Sequence, residues 1–381
     1  MTDRRQLILA ALAATATAPA LMACSATASP DEVARAQRRP VEPGGAPLPE
    51  AGSAPSALAG SLPAPALTRE LVRLATLAPS SHNTQCWTFR PVAGGLRIEP
   101  DLARRCPVVD PDEHHLQVSL GCATENLVHA ALAHGLAAEV QVGADGAVEV
   151  GLAPTRLPSR TSPLFQAIFQ RQCTRGDYDG QPLSAEELRL LQAAGSGPGV
   201  NLILLTDRPA MERVLEHIVA ANTAQMSDAA FVAELTSWIR FGASEAVERG
   251  DGLYAAATGN PTMPRWLGTR LMGLVYRPKS ENERIVRQVR NAAGLAVFVG
   301  AVADRAHWVE VGRRYERFAL QATALGIRNA FLNQPVEVGA LRPAFSQALG
   351  LAGQRPDLVV RFGRGPTLPM SLRRPVADAM V

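Results

Sequence analysis

The 381-residue chain has a single lysine, Lys279, among its 38 basic residues. A Schiff-base or general-base lysine therefore has no candidate elsewhere. Charge of one sign is also lacking. With 35 acidic residues the formal net charge is +3, which excludes nucleic-acid binding by bulk charge. The five cysteines include no Cys-x-x-Cys pair, so neither a zinc ribbon nor a dense disulfide framework is expected. Phosphate-loop glycine motifs are missing too. Gly363-x-Gly365 has no third glycine in register for a Rossmann turn, and no Gly-x-x-x-x-Gly-Lys occurs. No Gly-x-Ser-x-Gly elbow occurs either. His114-His115 stand beside Asp110 and Asp112, but adjacent histidines diverge and no second cluster accompanies them, so no metal is expected. What is present is a hydrophobic content of 47%, enough for a sizeable core.

The N-terminus reads as an address. Arg4-Arg5 precede an apolar run from Leu7 that is too short and too rich in small residues to span a bilayer. With Gln6-Leu7-Ile8, the arginine pair resembles a twin-arginine export signal, and Leu21-Met22-Ala23-Cys24 resembles a lipobox. The resemblance implies an exported chain, periplasmic or anchored by a lipid on Cys24. Residues 1–24 are then a signal. Residues 25–66, rich in Ala, Pro, Gly and Ser, read as a structureless tether.

From residue 67 the pattern suggests two related halves, 67–160 and 161–381. Thr68 is placed to cap a helix to about Ala78, and Trp87–Phe89 and Leu96–Ile98 read as strands about Gly94-Gly95. Gly121–Gly135 reads as a helix, followed by strands around Asp145-Gly146. The order then repeats: a helix opened by Ser184-Ala185-Glu186-Glu187, a strand over Val200–Leu205, and a helix over Gly312–Gly326. Both long helices have a second glycine fourteen residues after the first and a glutamate four after it, Glu125 and Glu316. This reads as a worn duplication. Residues 234–277 have no counterpart in the first half and read as a lid insertion.

The sharpest local signal is Pro79-Ser80-Ser81-His82-Asn83-Thr84-Gln85-Cys86-Trp87, a polar turn after a helix and before an aromatic strand. It resembles the nitroreductase-family motif whose turn lies along a flavin, with Cys86 where the family has proline. Arg171-Gln172-Cys173-Thr174-Arg175 resembles the family's arginine-x-serine-x-arginine phosphate motif, with Cys173 in the serine position. Asn333-Gln334-Pro335-Val336-Glu337 resembles the segment near the flavin ring edge. Arg361-Phe362-Gly363-Arg364-Gly365, with Arg373-Arg374-Pro375, resembles the closing glycine-and-arginine phosphate element.

The match covers most of residues 67–378 outside the insertion, and is nearest to the Acg-type branch. It implies an α+β nitroreductase-like fold, two fused halves forming a pseudo-dimer within one chain. It implies FMN as cofactor, held by Pro79, Ser80, Ser81, His82, Asn83, Gln85, Arg171, Cys173, Arg175, Asn333, Gln334, Gly363, Gly365, Arg373 and Arg374. The turn is present only in the first half and the arginine motif only in the second, where Ala194-Gly195-Ser196-Gly197-Pro198-Gly199 replaces the turn. The losses are complementary, so one FMN site is expected per chain and a monomer can be complete. The implied activity is two-electron transfer through flavin from a small-molecule donor, NAD(P)H in the family, to a small acceptor. The rival expectation is a protein that stores or sequesters flavin with little turnover. No side chain stands out as a catalytic acid or base, and the membrane enters only through the N-terminal lipid.

Overall fold

A computed structural model of the chain describes residues 28–40, 64–155, 162–275, 277–351 and 353–381. The twin-arginine run and the Leu21–Cys24 stretch lie outside the described residues. Among the described residues no helix is long and apolar enough to cross a membrane.

The first elements are α1 (Pro30–Arg38) and α2 (Pro65–Thr76), then β1 (Trp87–Val92) and β2 (Gly95–Pro100). Next come the long helix α3 (His114–Ala133), β3 (Leu136–Val142), β4 (Val148–Pro154) and the short α4 (Pro163–Ile168). The second half opens with α5 (Ala185–Gly195) and β5 (Val200–Leu205). An extended excursion follows: α6 (Arg208–Ser227), α7 (Ala229–Trp238), β6 (Ile239–Arg240), α8 (Ala243–Arg249), β7 (Leu253–Tyr254), α9 (Arg265–Val275) and α10 (Pro278–Arg290). The chain returns through β8 (Gly294–Gly300), the long helix α11 (Arg305–Ala324), β9 (Arg328–Phe331), α12 (Gln334–Glu337), α13 (Arg342–Ala348) and β10 (Leu358–Gly363).

The duplication is written in the sheets. The first half pairs its strands in the order β1-β2-β4-β3, the second in the order β5-β8-β10-β9, and every pairing in both is antiparallel. Each half runs helix, two strands, long helix, two strands. A two-residue turn joins β1 to β2, whereas the excursion from α6 to α10 stands between β5 and β8. The α+β class and the paired halves are therefore as the sequence leads one to expect.

The two long helices cross at glycines. A Cβ on Gly121 would stand 1.9 Å from the Val309 carbonyl oxygen, and one on Gly312 would stand 2.0 Å from that of Val118. Only a hydrogen fits at either place, which is why the repeated glycines sit where they do. Around this crossing lies the main core, with Trp87, Phe89, Phe298, Tyr315, Phe318 and Phe362 buried between helices and sheets. Segments from elsewhere in the chain close one edge of each sheet. Ala379–Val381 pair with Phe89 at the edge of the first sheet, and Cys173-Thr174 pair with Asn329 at the edge of the second.

The tether expectation fails at one segment. Residues 30–38 form a helix with a capping box from Ser29 and Glu32. Its Ala34 is buried with Ala246, Tyr254, Ala257 and Leu372. The anchors at its far end are polar: Gln37 Nε2 donates to the Arg373 carbonyl (2.6 Å) and Gln37 Oε1 accepts from the Arg373 N–H (2.9 Å). The apolar face of α1 is a few small side chains, too little to read as core in the sequence.

Candidate functional site

The turn after α2 is wound tightly. His82, Asn83 and Gln85 have φ of 47°, 53° and 54°, left-handed values that side chains other than glycine avoid. Local bonds hold the strain. The Ser80 hydroxyl accepts from the Gln85 N–H (2.8 Å), and the Ser81 N–H donates to Ser119 on α3 (3.3 Å).

The winding divides the turn's polar side chains between two directions. Pro79, Ser80, Ser81 and His82 line a cavity of about 650 Å³. Asn83 and Gln85 point away from it. Asn83 Nδ2 donates to the carbonyls of Gly252 (2.9 Å) and Leu372 (3.2 Å), while its Oδ1 accepts from Arg373 (3.1 Å). Gln85 Nε2 donates to the Gly250 carbonyl (2.8 Å), and its Oε1 accepts from the Arg374 N–H (2.9 Å). These two amides staple the β6–β7 region of the insertion and the C-terminal segment onto the turn.

The second half supplies the facing side. Arg175, Asn333, Gln334 and Glu337 line the same cavity. The excursion between β5 and β8 closes it with Phe231, Leu235, Ile239, Phe241, Leu267 and Met272. One end is thus polar and the other apolar, and the volume is that of a small-molecule site. Among the described residues three polar atoms of the lining residues are buried without a partner, Gln334 Oε1, His115 Nε2 and Arg284 Nε. Unsatisfied groups of this kind are costly and point to a ligand-facing surface.

The polar end carries several ionisable groups. Burial, with the Arg175 charge second, lowers the His82 pKa to about 4. Burial next to His114 lowers that of His115 to about 3. Both imidazoles are neutral at pH 7. Burial raises the Glu337 carboxyl, against the pull of His115 and a bond from Gln225 (2.7 Å). His115 Nδ1 lies 3.9 Å from Glu337. Asp110, His114 and His115 come close together. The Asp110 carboxylate caps α3 through the His115 and Leu116 N–H groups (2.9 Å each), and His114 Nε2 bonds Asp357 (2.9 Å).

The remaining residues of the resemblance lie off the cavity wall. Arg171 is buried against Glu316 (3.0 Å) and donates to the Leu77 carbonyl (2.8 Å). Cys173 lies 3.8 Å from the Tyr315 hydroxyl. Arg373 is buried and donates to the carbonyls of Thr76, Leu77 and Ala78, closing the C-terminal end of α2. Arg374 donates to the Gln85 and Asp378 carbonyls. Gly363 and Gly365 pack against Tyr178, with a Cβ on either falling within 3.0 Å of its ring. Arg361 stacks over that ring, 4.1 Å from its centroid.

Sequence reasoning did not single out Ser119, Gln225 and Glu337 as site residues, and it weighed His115 only as a metal ligand and set it aside. Glu337 stands inside a segment it did quote; Ser119 and His115 lie on a helix whose facing side the sequence does not mark.

No family model matches the chain. It is similar to two Mycobacterium tuberculosis proteins, from strains H37Rv and CDC 1551, each named "Putative NAD(P)H nitroreductase". Each is 25% identical over 344 residues, covering 86% of this chain and 95% of the relative. Among solved structures, a Desulfitobacterium hafniense nitroreductase with bound FMN aligns at a TM-score of 0.36 and 19% identity. That alignment covers 58% of this chain and 97% of the other. The Mycobacterium smegmatis FMN-dependent nitroreductase NfnB, in complex with NADPH, aligns at 0.35 and 14%, covering 54% and 89%.

Proposed function

We propose that this chain is a flavin-dependent oxidoreductase of the nitroreductase type, holding one FMN in the cavity between its two halves. The observation that carries the reading is the cavity itself. The Pro79–His82 turn of one half and Arg175, Asn333 and Gln334 of the other converge on it, and the Asn83 and Gln85 staples hold the insertion over it. Names of full-length relatives point the same way.

The residues present fit such a group. The unpartnered Gln334 Oε1 and His115 Nε2 suit the polar edge of a heteroaromatic ring, and the serines and the Arg175 charge suit its oxygens and nitrogens. When bound, FMN supplies hydride acceptance and two-electron delivery. Arg175 and Gln334 would hold the group at the polar end of the cavity. His115 and Glu337 hold a proton at the polar wall. The apolar insertion would keep water from the group. In this reading the insertion is a lid.

The donor in this reading is NAD(P)H. The test is steady-state oxidation of NADH and NADPH with a nitroaromatic acceptor. Turnover that depends on bound flavin supports the oxidoreductase. A protein that retains flavin and shows no turnover with either nucleotide is instead a flavin store. The twin-arginine run and Cys24 support export in the folded, cofactor-loaded state with lipid attachment. Substituting Lys for Arg4 and Arg5 should then trap the protein in the cytoplasm, as cell fractionation reads it.

A further inference from the structure

Their spacing in the sequence leads one to expect that His114 and His115 diverge. In the fold their rings lie together, with centroids 4.6 Å apart. Asp110 joins them. Each of the three offers a ligand atom within 4.8 Å of the other two, and all three are buried. Glu337 approaches from the second half. His115 Nδ1 stands 4.0 Å from the Asp110 carboxylate and 3.9 Å from that of Glu337. These gaps are too long for hydrogen bonds. Two donors held at about 2.1 Å by one ion can stand up to about 4.2 Å apart, so both gaps fit a shared cation.

The ring nitrogens have lone pairs to give. His114 Nε2 is bonded to Asp357 (2.9 Å), and a carboxylate accepts, so Nε2 carries the proton and Nδ1 is a free lone pair. Among the described residues that Nδ1 is buried and has no partner. A carboxylate behind one nitrogen and a free lone pair on the other is how metal-ligating histidines are oriented. The second nitrogen of His115, Nε2, is unpartnered too. Asp110 accepts the His115 N–H at one oxygen and the Leu116 N–H at the other, and each oxygen keeps a further lone pair.

Two guanidinium groups near the cluster are engaged elsewhere. Arg355, 3.9 Å from Asp357, pairs with Asp112 (2.5 Å) and lies over Trp308, and Arg342 donates to the Val336 carbonyl (2.8 Å). An entry path exists, because His115 and Glu337 also line the cavity. Two imidazoles with carboxylates suit a divalent transition ion. They do not suit Mg²⁺, which takes oxygen ligands.

We propose that Asp110, His114 and His115, with Glu337 as fourth donor, form a site for one divalent transition ion of the zinc type. The inference goes beyond the flavin reading and stands or falls without it. The ion ties the start of α3 to α12 and, through Asp357, to the start of β10, so it clamps the two halves at the polar wall of the cavity. Ligation through His115 Nδ1 leaves the ring proton on Nε2.

The experiment uses the untagged full chain, stripped of metal by dialysis against a chelator. Zn²⁺ uptake is read by elemental analysis and by competition with a chromogenic chelator, and Co²⁺ uptake by its visible spectrum, with Mg²⁺ as control. One Zn²⁺ or Co²⁺ per chain is expected, with no Mg²⁺ bound at the same concentration. His115→Gln should weaken Zn²⁺ binding about a hundredfold or more. Asp357→Asn, which removes the support behind His114, should weaken it about ten- to a hundredfold. His217→Gln, on α6, should leave it unchanged. No uptake by the wild-type chain overturns the proposal, as does unchanged affinity in a His115→Gln variant that circular dichroism shows to be folded. Thiolate charge-transfer bands with Co²⁺ overturn it as well, because cysteines would then hold the ion. Should the variants not fold, nitrogen-15 NMR of the wild-type chain decides. Zn²⁺ must shift the ring nitrogens of His114 and His115, and shifts confined to other histidines overturn the site.

Discussion

Asn83 carries an unusual share of the molecule for one side chain. Its amide joins the turn, the insertion at Gly252 and the C-terminal segment at Leu372, and its oxygen receives Arg373. Asn83→Ala takes the donor from the Gly252 carbonyl and weakens the bonding of the Leu372 carbonyl and Arg373, which keep each other (2.9 Å), a cost of about 1–3 kcal/mol. Asn83→Asp keeps the Arg373 contact and loses the two donations, so denaturant titration should place it between Ala and wild type. His115 makes a second residue-scale prediction. Its native pKa is lowered to about 3 by burial, against about 6.5 in an unfolded chain. Its stabilising contribution is therefore complete above pH 6.5 and is lost as pH falls toward 3. Nitrogen-15 NMR should show the His115 ring neutral at pH 5; a protonated ring there contradicts the burial described. Little of this was legible in the sequence. The turn was, because Pro-Ser-Ser-His-Asn-x-Gln is a dense polar run. Which of its members face ligand was not, because the partners of Asn83 and Gln85 lie more than 160 residues away along the chain.

Among the elements, the crossing of α3 and α11 fixes how the halves meet. Gly312→Ala would push a methyl into the Val118 carbonyl, and Gly121→Ala into that of Val309. Backbone faces backbone, so the helices must separate. Each change should cost about 3 kcal/mol or more, while Gly339→Ala, with nothing within 4 Å, should stay within about 0.5 kcal/mol. Equal stability of all three variants would mean that the helices are not in backbone contact. The glycine spacing was readable in the sequence, as was the capping box of Ser184 and Glu187 that opens α5. The matching strand order was not readable, because a two-residue turn in one half answers a string of helices in the other. Helix α1 escaped for a different reason. It docks by Ala34, Gln37 and Arg38, which form no apolar stripe. A chain beginning at Ala64 should consequently lose about 2 kcal/mol or more, having exposed Tyr254, Ala257 and Leu372.

For the whole molecule, two halves with complementary losses meet around one cavity, lined by the Pro79–His82 turn of the first and by Arg175, Asn333 and Gln334 of the second. On the proposed function, a site assembled from both halves needs no second subunit to complete it. Concentration should then leave cofactor occupancy unchanged, in contrast to a site built across two chains, which empties as the chains part. The most direct measurement is the FMN content of the full chain in dilute solution, with mass determined by light scattering on the same sample. The account predicts a yellow monomer carrying one FMN per chain. A colourless monomer that FMN cannot reconstitute, or flavin lost whenever the protein dissociates to monomers, would contradict it.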